Sequence, residues 1–190
     1  VGNLEGRRGA LQALLSDGDE AVRGAAAEAL EQLETAMDLE QVLSVLVNGS
    51  RGGRVAAIFA LEKINSPQVL AALLEQLQDA DADIRATVIQ VLGSKRDSKS
   101  LGALVRHLKD PHPAVRVHAA DALGEFRDSR PVPYLIAVLG AADEELVRSA
   151  AQALGRIGAA EAEAALLPLL KDPRQGVRLA ATRALGQLDL

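Results

Sequence analysis

The chain has no cysteine and no tryptophan, and among its 190 residues are one tyrosine and two phenylalanines. The first absence excludes disulfides, thiolate metal sites and cysteine nucleophiles. The shortage of aromatics leaves the interior to leucine and alanine, which suits thin helical layers in close contact and offers few rings to a flat ligand. No run of about 18 apolar residues occurs, so no helix is expected to span a membrane. The opening Val-Gly-Asn-Leu-Glu-Gly-Arg-Arg lacks the apolar stretch of a secretory signal. Val1 stands where an initiator methionine would, which points to a cut or tagged chain, and the expected location is the cytoplasm.

Positive charge is also scarce, the formal net charge being −5. Residues 5–35 carry −4, 67–97 carry −2 and 98–128 carry +1, while the remaining stretches balance. An acidic excess of this kind lacks the footprint that a polyphosphate backbone requires, so nucleic acid is not an expected partner.

What the chain does have is a period. Leu30, Leu61, Leu92, Leu123, Leu154 and Leu185 recur every 31 residues, and Leu15, Leu46, Leu77, Leu108, Leu139 and Leu170 form a second ladder in step. Such regularity marks a stacked array of small units rather than one closed core. Six repeats fit one domain over 1–190, framed as 5–35, 36–66, 67–97, 98–128, 129–159 and 160–190.

Inside each repeat, apolar residues fall at i, i+3, i+4 and i+7, as in Leu70, Leu73, Leu74 and Leu77, which is one face of a helix. A turn follows, such as Asp110-Pro111-His112-Pro113 or Asp172-Pro173, with Asp19, Ser50, Asp81 and Asp143 in the place of an N-cap. A second helix then carries Val115, Ala119, Ala122 and Leu123, and its small rungs (Ala26, Ala57, Ala119, Ala150, Ala181) allow close approach of neighbours. One pair of helices cannot bury its own stripe, so the layers must cover one another. Polar Arg8 and Gln12 suit an outermost first layer, whereas Leu179, Leu188 and Leu190 leave the last layer apolar, fit for a further repeat or a partner.

Val22-Arg23, Ile84-Arg85, Val115-Arg116 and Val177-Arg178 each lie eight residues, Val or Ile to Leu, before the first ladder, and Ala122-Leu123-Gly124, Ala153-Leu154-Gly155 and Ala184-Leu185-Gly186 follow. Across nearly its whole length this pattern resembles the HEAT-like repeats first associated with phycobilin lyases. The resemblance implies an all-α, right-handed solenoid of six two-helix repeats whose second helices line the inner curve.

Arginine occupies 23, 54, 85, 116 and 178, and Asp or Asn stands six residues earlier at 17, 48, 79, 110 and 172. Repeat 5 loses both together, with Val147 and Ala141. The pairs Asp17–Arg23, Asp79–Arg85, Asp110–Arg116 and Asp172–Arg178 therefore read as structural, a charge-assisted bridge between turn and helix or a ladder along the array. The alternative is an arginine row gripping an anion.

Chemistry has few places to hide. His107, His112 and His118 have no carboxylate at zinc-ligand spacing, so neither a metal nor a cofactor is expected. No nucleophile elbow, triad-like grouping or phosphate loop is present, and no catalytic residue is assigned. The Gly-rich Asn48–Arg54 reads as a loosened turn or as an anion-binding nest. Lys95 takes a slot otherwise held by Leu33, Ile64, Phe126, Ile157 and Leu188, and with 93–98 it suggests a soft joint over which its stem snorkels.

On the second helices, the positions one, five and eight after the arginine slot face away from the apolar stripe. They give a candidate partner-binding set of Val55, Phe59, Val117, Asp121, Arg148, Gln152, Leu179 and Arg183, beside a glycine row at 93, 124, 155 and 186. Apolar spots and a charge grading from Glu28, Glu31 and Glu62 to Arg148 and Arg183 suit an extended peptide or a partner helix. The expected function is a non-catalytic adaptor that binds a protein or peptide along this concave wall. The alternatives are a lyase-like subunit handling a bilin chromophore, as the resemblance implies, and nucleic-acid binding. In stability terms, Leu92→Asp or Leu123→Asp should unfold several layers, and Arg85→Ala should weaken the array modestly.

Overall fold

The computed structural model describes residues 4–188, without the side chains at 4, 5, 36 and 37. Leu190 of the apolar last layer lies outside them. Among the described residues the chain is all-α, and no helix is long and apolar enough to cross a membrane. It divides into two compact units, 1–57 and 58–190.

The first unit contains α1 (Leu4–Leu14), α2 (Glu20–Asn48) and the start of α3 (Arg51–Ala60). Asp19 caps α2 by accepting from the backbone N–H of Ala21 at 2.7 Å, and Asp17 accepts from Asp19 N–H at 2.9 Å. Here the helix-turn-helix rhythm of the sequence is overridden. α2 runs through the expected repeat boundary at 35/36 because Leu33–Glu40 contains no Gly, Pro or Asn to stop it. The Gly-rich stretch is also shorter as a turn than expected. Gly49 and Ser50 make the bend, Ser50 Oγ accepts from Gly53 N–H at 3.3 Å, and Gly52 and Gly53 already belong to α3. Gly49 is required there, since a Cβ would stand 2.5 Å from the Val45 carbonyl oxygen.

The second unit continues with a 3-10 turn over Leu61–Lys63, α4 (Pro67–Gln76), α5 (Ala82–Lys95), α6 (Leu101–His107), α7 (Pro113–Glu125), α8 (Val132–Ala137), α9 (Glu144–Ile157), α10 (Glu163–Leu166) and α11 (Gln175–Leu185). Second helices pack in succession, α5 on α7, α7 on α9 and α9 on α11, with the shorter first helices beside them. Leu61, Leu92, Leu123 and Leu154 are wholly buried, and so are the alanine rungs Ala119, Ala150 and Ala181. The glycines of the Ala-Leu-Gly motif explain how closely these helices approach. A Cβ on Gly93 would meet Ala122 Cβ at 2.8 Å, one on Gly124 would meet Ala153 Cα at 2.8 Å, and one on Gly155 would meet Ala184 Cα at 2.8 Å. These three are buried against the next helix, not displayed on an open wall as the helical projection implied, because neighbouring helices cross at that flank.

The arginine slot is a cross-repeat tie. Arg85 donates through Nη1 to the Asp79 carbonyl at 2.8 Å, and through Nε and Nη2 to both carboxylate oxygens of Asp110, one repeat on, at 2.9 and 2.8 Å. Arg116 repeats the move, donating to the Asp110 carbonyl at 2.9 Å and to Asp143 at 2.7 Å. Arg178 and Arg23 donate to the carbonyls of Asp172 and Asp17, each at 2.7 Å. Within a repeat, then, arginine holds the backbone of its Asp, and the carboxylate is left for the N–H two residues on and for the preceding arginine. Where repeat 5 has Val147, Arg174 takes over both duties. It binds the Asp172 carboxylate at 2.8 and 2.9 Å and reaches back to the Ala141 and Ala142 carbonyls, each at 3.2 Å.

Lys95 corrects the expected soft joint. Its ammonium donates to the carbonyls of Leu61, Glu62 and Ile64 at 3.1, 2.8 and 2.7 Å and to Asn65 Oδ1 at 3.3 Å, closing the end of the preceding repeat. Burial lowers its pKa from the ordinary lysine value, with Glu62 and Asp97 acting against the shift. Arg96 then turns the chain in the left-handed region at φ 52°, as do Arg127 at 49° and Gly158 at 75°, one period apart.

Candidate functional site

The second-helix face of the 58–190 unit carries the candidate site. A cleft of about 610 Å³ opens across α5, α7 and α9. Asp121 and Gln152, both half-buried, line it as the helical projection predicts, and Gln90 from the same row joins them.

The other predicted residues lie elsewhere. Val55 is half-buried in the first unit, and Phe59, at the start of the second, is exposed. Val117 is half-buried, while Leu179 and Arg183 are exposed on α11. Arg148 sits 3.5 Å from Glu145 and so close over Gly176 that a Cβ there would meet its Cδ at 2.9 Å. None of these lines the cleft.

What the projection missed is a further row, nine places after the arginine slot: Ser94, Glu125 and Arg156, 31 residues apart. All three line the cleft, together with Arg96 and His118. The spacing was visible in the sequence. The reach was not, since long side chains cross from one repeat to another. Arg156 Nη2 donates to the Asp121 carbonyl at 3.2 Å and to its Oδ1 at 3.3 Å, while its Nε lies 3.8 Å from Glu125. Arg96 donates to the other oxygen of Glu125 at 3.2 Å. Arg156 Nε is buried yet makes no hydrogen bond with any described residue. Glu125 is thus held by cations on two sides and Asp121 by Arg156, and Gln90, Ser94, Gln152 and His118 supply further hydrogen-bonding groups to the opening. Such a surface is equipped to hydrogen-bond a peptide backbone and to pair with charges of either sign.

The three histidines have separate surroundings. His107 is buried between the Ala103 carbonyl at 2.8 Å and the Leu77 carbonyl at 3.1 Å, His112 precedes α7 in solvent, and His118 lines the cleft. Among the described residues, no group of three His, Cys, Asp or Glu is placed to hold a metal ion.

The electrostatics of the turns follow from the arginine ladder. Burial acts to raise the Asp110 pKa, but hydrogen bonds from Arg85 and from His112 N–H outweigh it and hold the carboxyl below its usual value. Asp143 is lowered in the same way, burial being overcome by Arg116 and the α9 N–H groups. Arg174 holds Asp172 down to about 2.

Comparison with known proteins bears on most of the chain. Sequence profiles of HEAT repeats match residues 39–94, 70–155 and 139–190. No curated protein matches the chain. Among solved structures, the complex of CpcE and CpcF of phycocyanin lyase from Nostoc sp. PCC7120 is similar at 27% identity and a TM-score of 0.69. That likeness covers 79% of this chain and 64% of the other, so this chain spans less than two thirds of that relative's length. Two engineered proteins share the fold at 20% identity, with TM-scores of 0.59 and 0.56, covering 95% and 96% of this chain and 95% and 58% of theirs. The profile matches together run from residue 39 to 190, and the chain belongs to the HEAT-repeat family.

Proposed function

We propose that this protein is a non-catalytic adaptor that holds a protein or peptide partner along its second-helix face, centred on the Asp121–Gln152 cleft. The observation that carries this reading is the cleft itself, where Asp121, Glu125, Arg96 and Arg156 form a chain of opposite charges across three repeats, rimmed by amide and hydroxyl groups. An extended segment crossing successive helices meets a fresh set of donors and acceptors at each one. The similar phycocyanin lyase chain was solved as a complex of two subunits, which supports a protein as the occupant. Affinity capture with the wild-type chain and with Asp121→Arg and Gln152→Ala tests the reading. Both variants should keep their helical signal and lose the captured partner; capture unchanged by both would remove the cleft from the interface.

A second reading rests on the same likeness: a lyase-like subunit that handles a bilin chromophore. Mixing the protein with a free bilin separates the two. A saturable absorbance shift abolished by Asp121→Arg would favour the chromophore, and an unshifted spectrum would favour the adaptor.

A further inference from the structure

A different surface of the second unit is built for a different contact. Between the first helices α6 and α8, a groove of about 630 Å³ runs on into a depression of about 490 Å³, the two sharing Val105, Arg106 and Tyr134. Its floor is apolar, formed by Leu101, Val105, Leu108 and Ala137, and over it stands Tyr134, 53% exposed and the only tyrosine in the chain. None of its lining residues lines the Asp121–Gln152 cleft.

The charge at its rim has one sign. Arg106, Lys109 and Arg130 line the groove, and among the described residues no Asp or Glu does. Asp128 engages Arg130. Arg106 and Lys109 make no ion pair with any described residue, although the protein as a whole is acidic. A large exposed aromatic over an apolar floor, flanked by uncompensated cations, is an anchor pocket with a complementary rim.

We propose that this groove binds an acidic peptide segment, with one apolar side chain seated against Val105 and Tyr134 and flanking carboxylates meeting Arg106 and Lys109. A nucleic acid suits it less well. Two free cations on a chain of net charge −5 give a polyphosphate little attraction, and a single ring offers no run of stacking platforms.

The groove carries its own reporter, because a chain with one tyrosine and no tryptophan has Tyr134 as its tyrosine emitter. The test titrates the whole protein with a short peptide of leucine flanked by glutamates, free of aromatics, and in parallel with its lysine counterpart and a single-stranded oligonucleotide. The glutamate peptide alone should change Tyr134 emission saturably, and added salt should weaken it. Arg106→Glu combined with Lys109→Glu should reduce its affinity about tenfold or more. Gly102→Glu is a second probe that is not expected to disturb folding, since a Cβ at Gly102 on the groove wall meets nothing within 4 Å. It too should abolish the response. The proposal is overturned if the lysine peptide or the oligonucleotide binds as well as the glutamate peptide. It is equally overturned if no titration saturates, or if Gly102→Glu leaves binding intact.

Discussion

The two units are written in the same 31-residue period and yet are packed unlike each other. In the 58–190 unit, Leu61, Leu92, Leu123 and Leu154 are closed off from solvent, glycines sit flush against the next helix, and arginine and lysine side chains tie successive repeats. In the 1–57 unit the equivalent Leu30 is only half-buried, Leu15 is 39% exposed and Val47 is 62% exposed. Gly24, in the α2 row that corresponds to Ala86 and Val117, faces open space. A repeat sequence prescribes which residues are available for burial. How much is buried depends on the layers that cover them.

The largest test of this contrast places a charge at one ladder leucine of each unit. Leu123→Asp puts an unpaired carboxylate into a dry contact and should cost at least about 4 kcal/mol, unfolding the repeats around it. Leu15→Asp, already in contact with water, should stay within about 1 kcal/mol of wild type. Chemical denaturation curves decide it, and equal losses would erase the distinction.

The arginine ties come next. The side chains of Arg85 and Asp110 are 11% and 5% exposed, so Arg85→Ala strands a buried carboxylate and should cost about 3 kcal/mol. That is more than the modest loss anticipated from an Asp–Arg bridge within one turn. Arg23→Ala removes a hydrogen bond to a carbonyl near solvent and should cost about 1 kcal/mol. A smaller loss for Arg85→Ala than for Arg23→Ala would mean that the cross-repeat pair is dispensable.

Glycine gives a third comparison. Gly124→Ala drives a methyl into Ala153 and Arg156 and should cost about 2 kcal/mol, while Gly24→Ala meets nothing and should gain about 0.5–1 kcal/mol through helix propensity. Thermal melts of opposite sign are the expected result.

The smallest effect is a response to acid carried by carboxylates of the second unit. Asp172 is held at about 2, and Asp110 and Asp143 are lowered too. Folded values below unfolded ones mean that the contribution is complete above about pH 4 and is lost as the pH falls toward the folded values. Melting temperatures measured from neutral to acid pH should drop through that window, and Arg174→Gln should flatten the drop.

Much of this was legible beforehand. The helix stripes, the caps at Asp19, Ser50, Asp81 and Asp143, and the leucine ladders follow from periodicity and short-range hydrogen bonding, which a linear pattern records directly. The fusion of two helices into α2 was not read from the period, which places a repeat boundary at 35/36; the missing turn residues between Leu33 and Glu40 account for it. Asp121 and Gln152, two of the eight residues that the helical projection turned away from the apolar stripe, line the cleft. Ser94, Glu125 and Arg156 were overlooked because a one-helix projection gives each residue a direction but no reach.

From the sequence alone came the helical class, the 31-residue unit and the residues available for burial, because these depend on which side chains recur on one helix face. Which neighbour each side chain meets came only with the tertiary structure. Arg85 crosses to Asp110, Lys95 closes the preceding repeat, Arg174 stands in for the arginine that repeat 5 lacks, and Gly124 admits the next helix. The reason is physical: local periodicity sets direction along a helix, whereas the partners of a long charged side chain are chosen by the distance between layers.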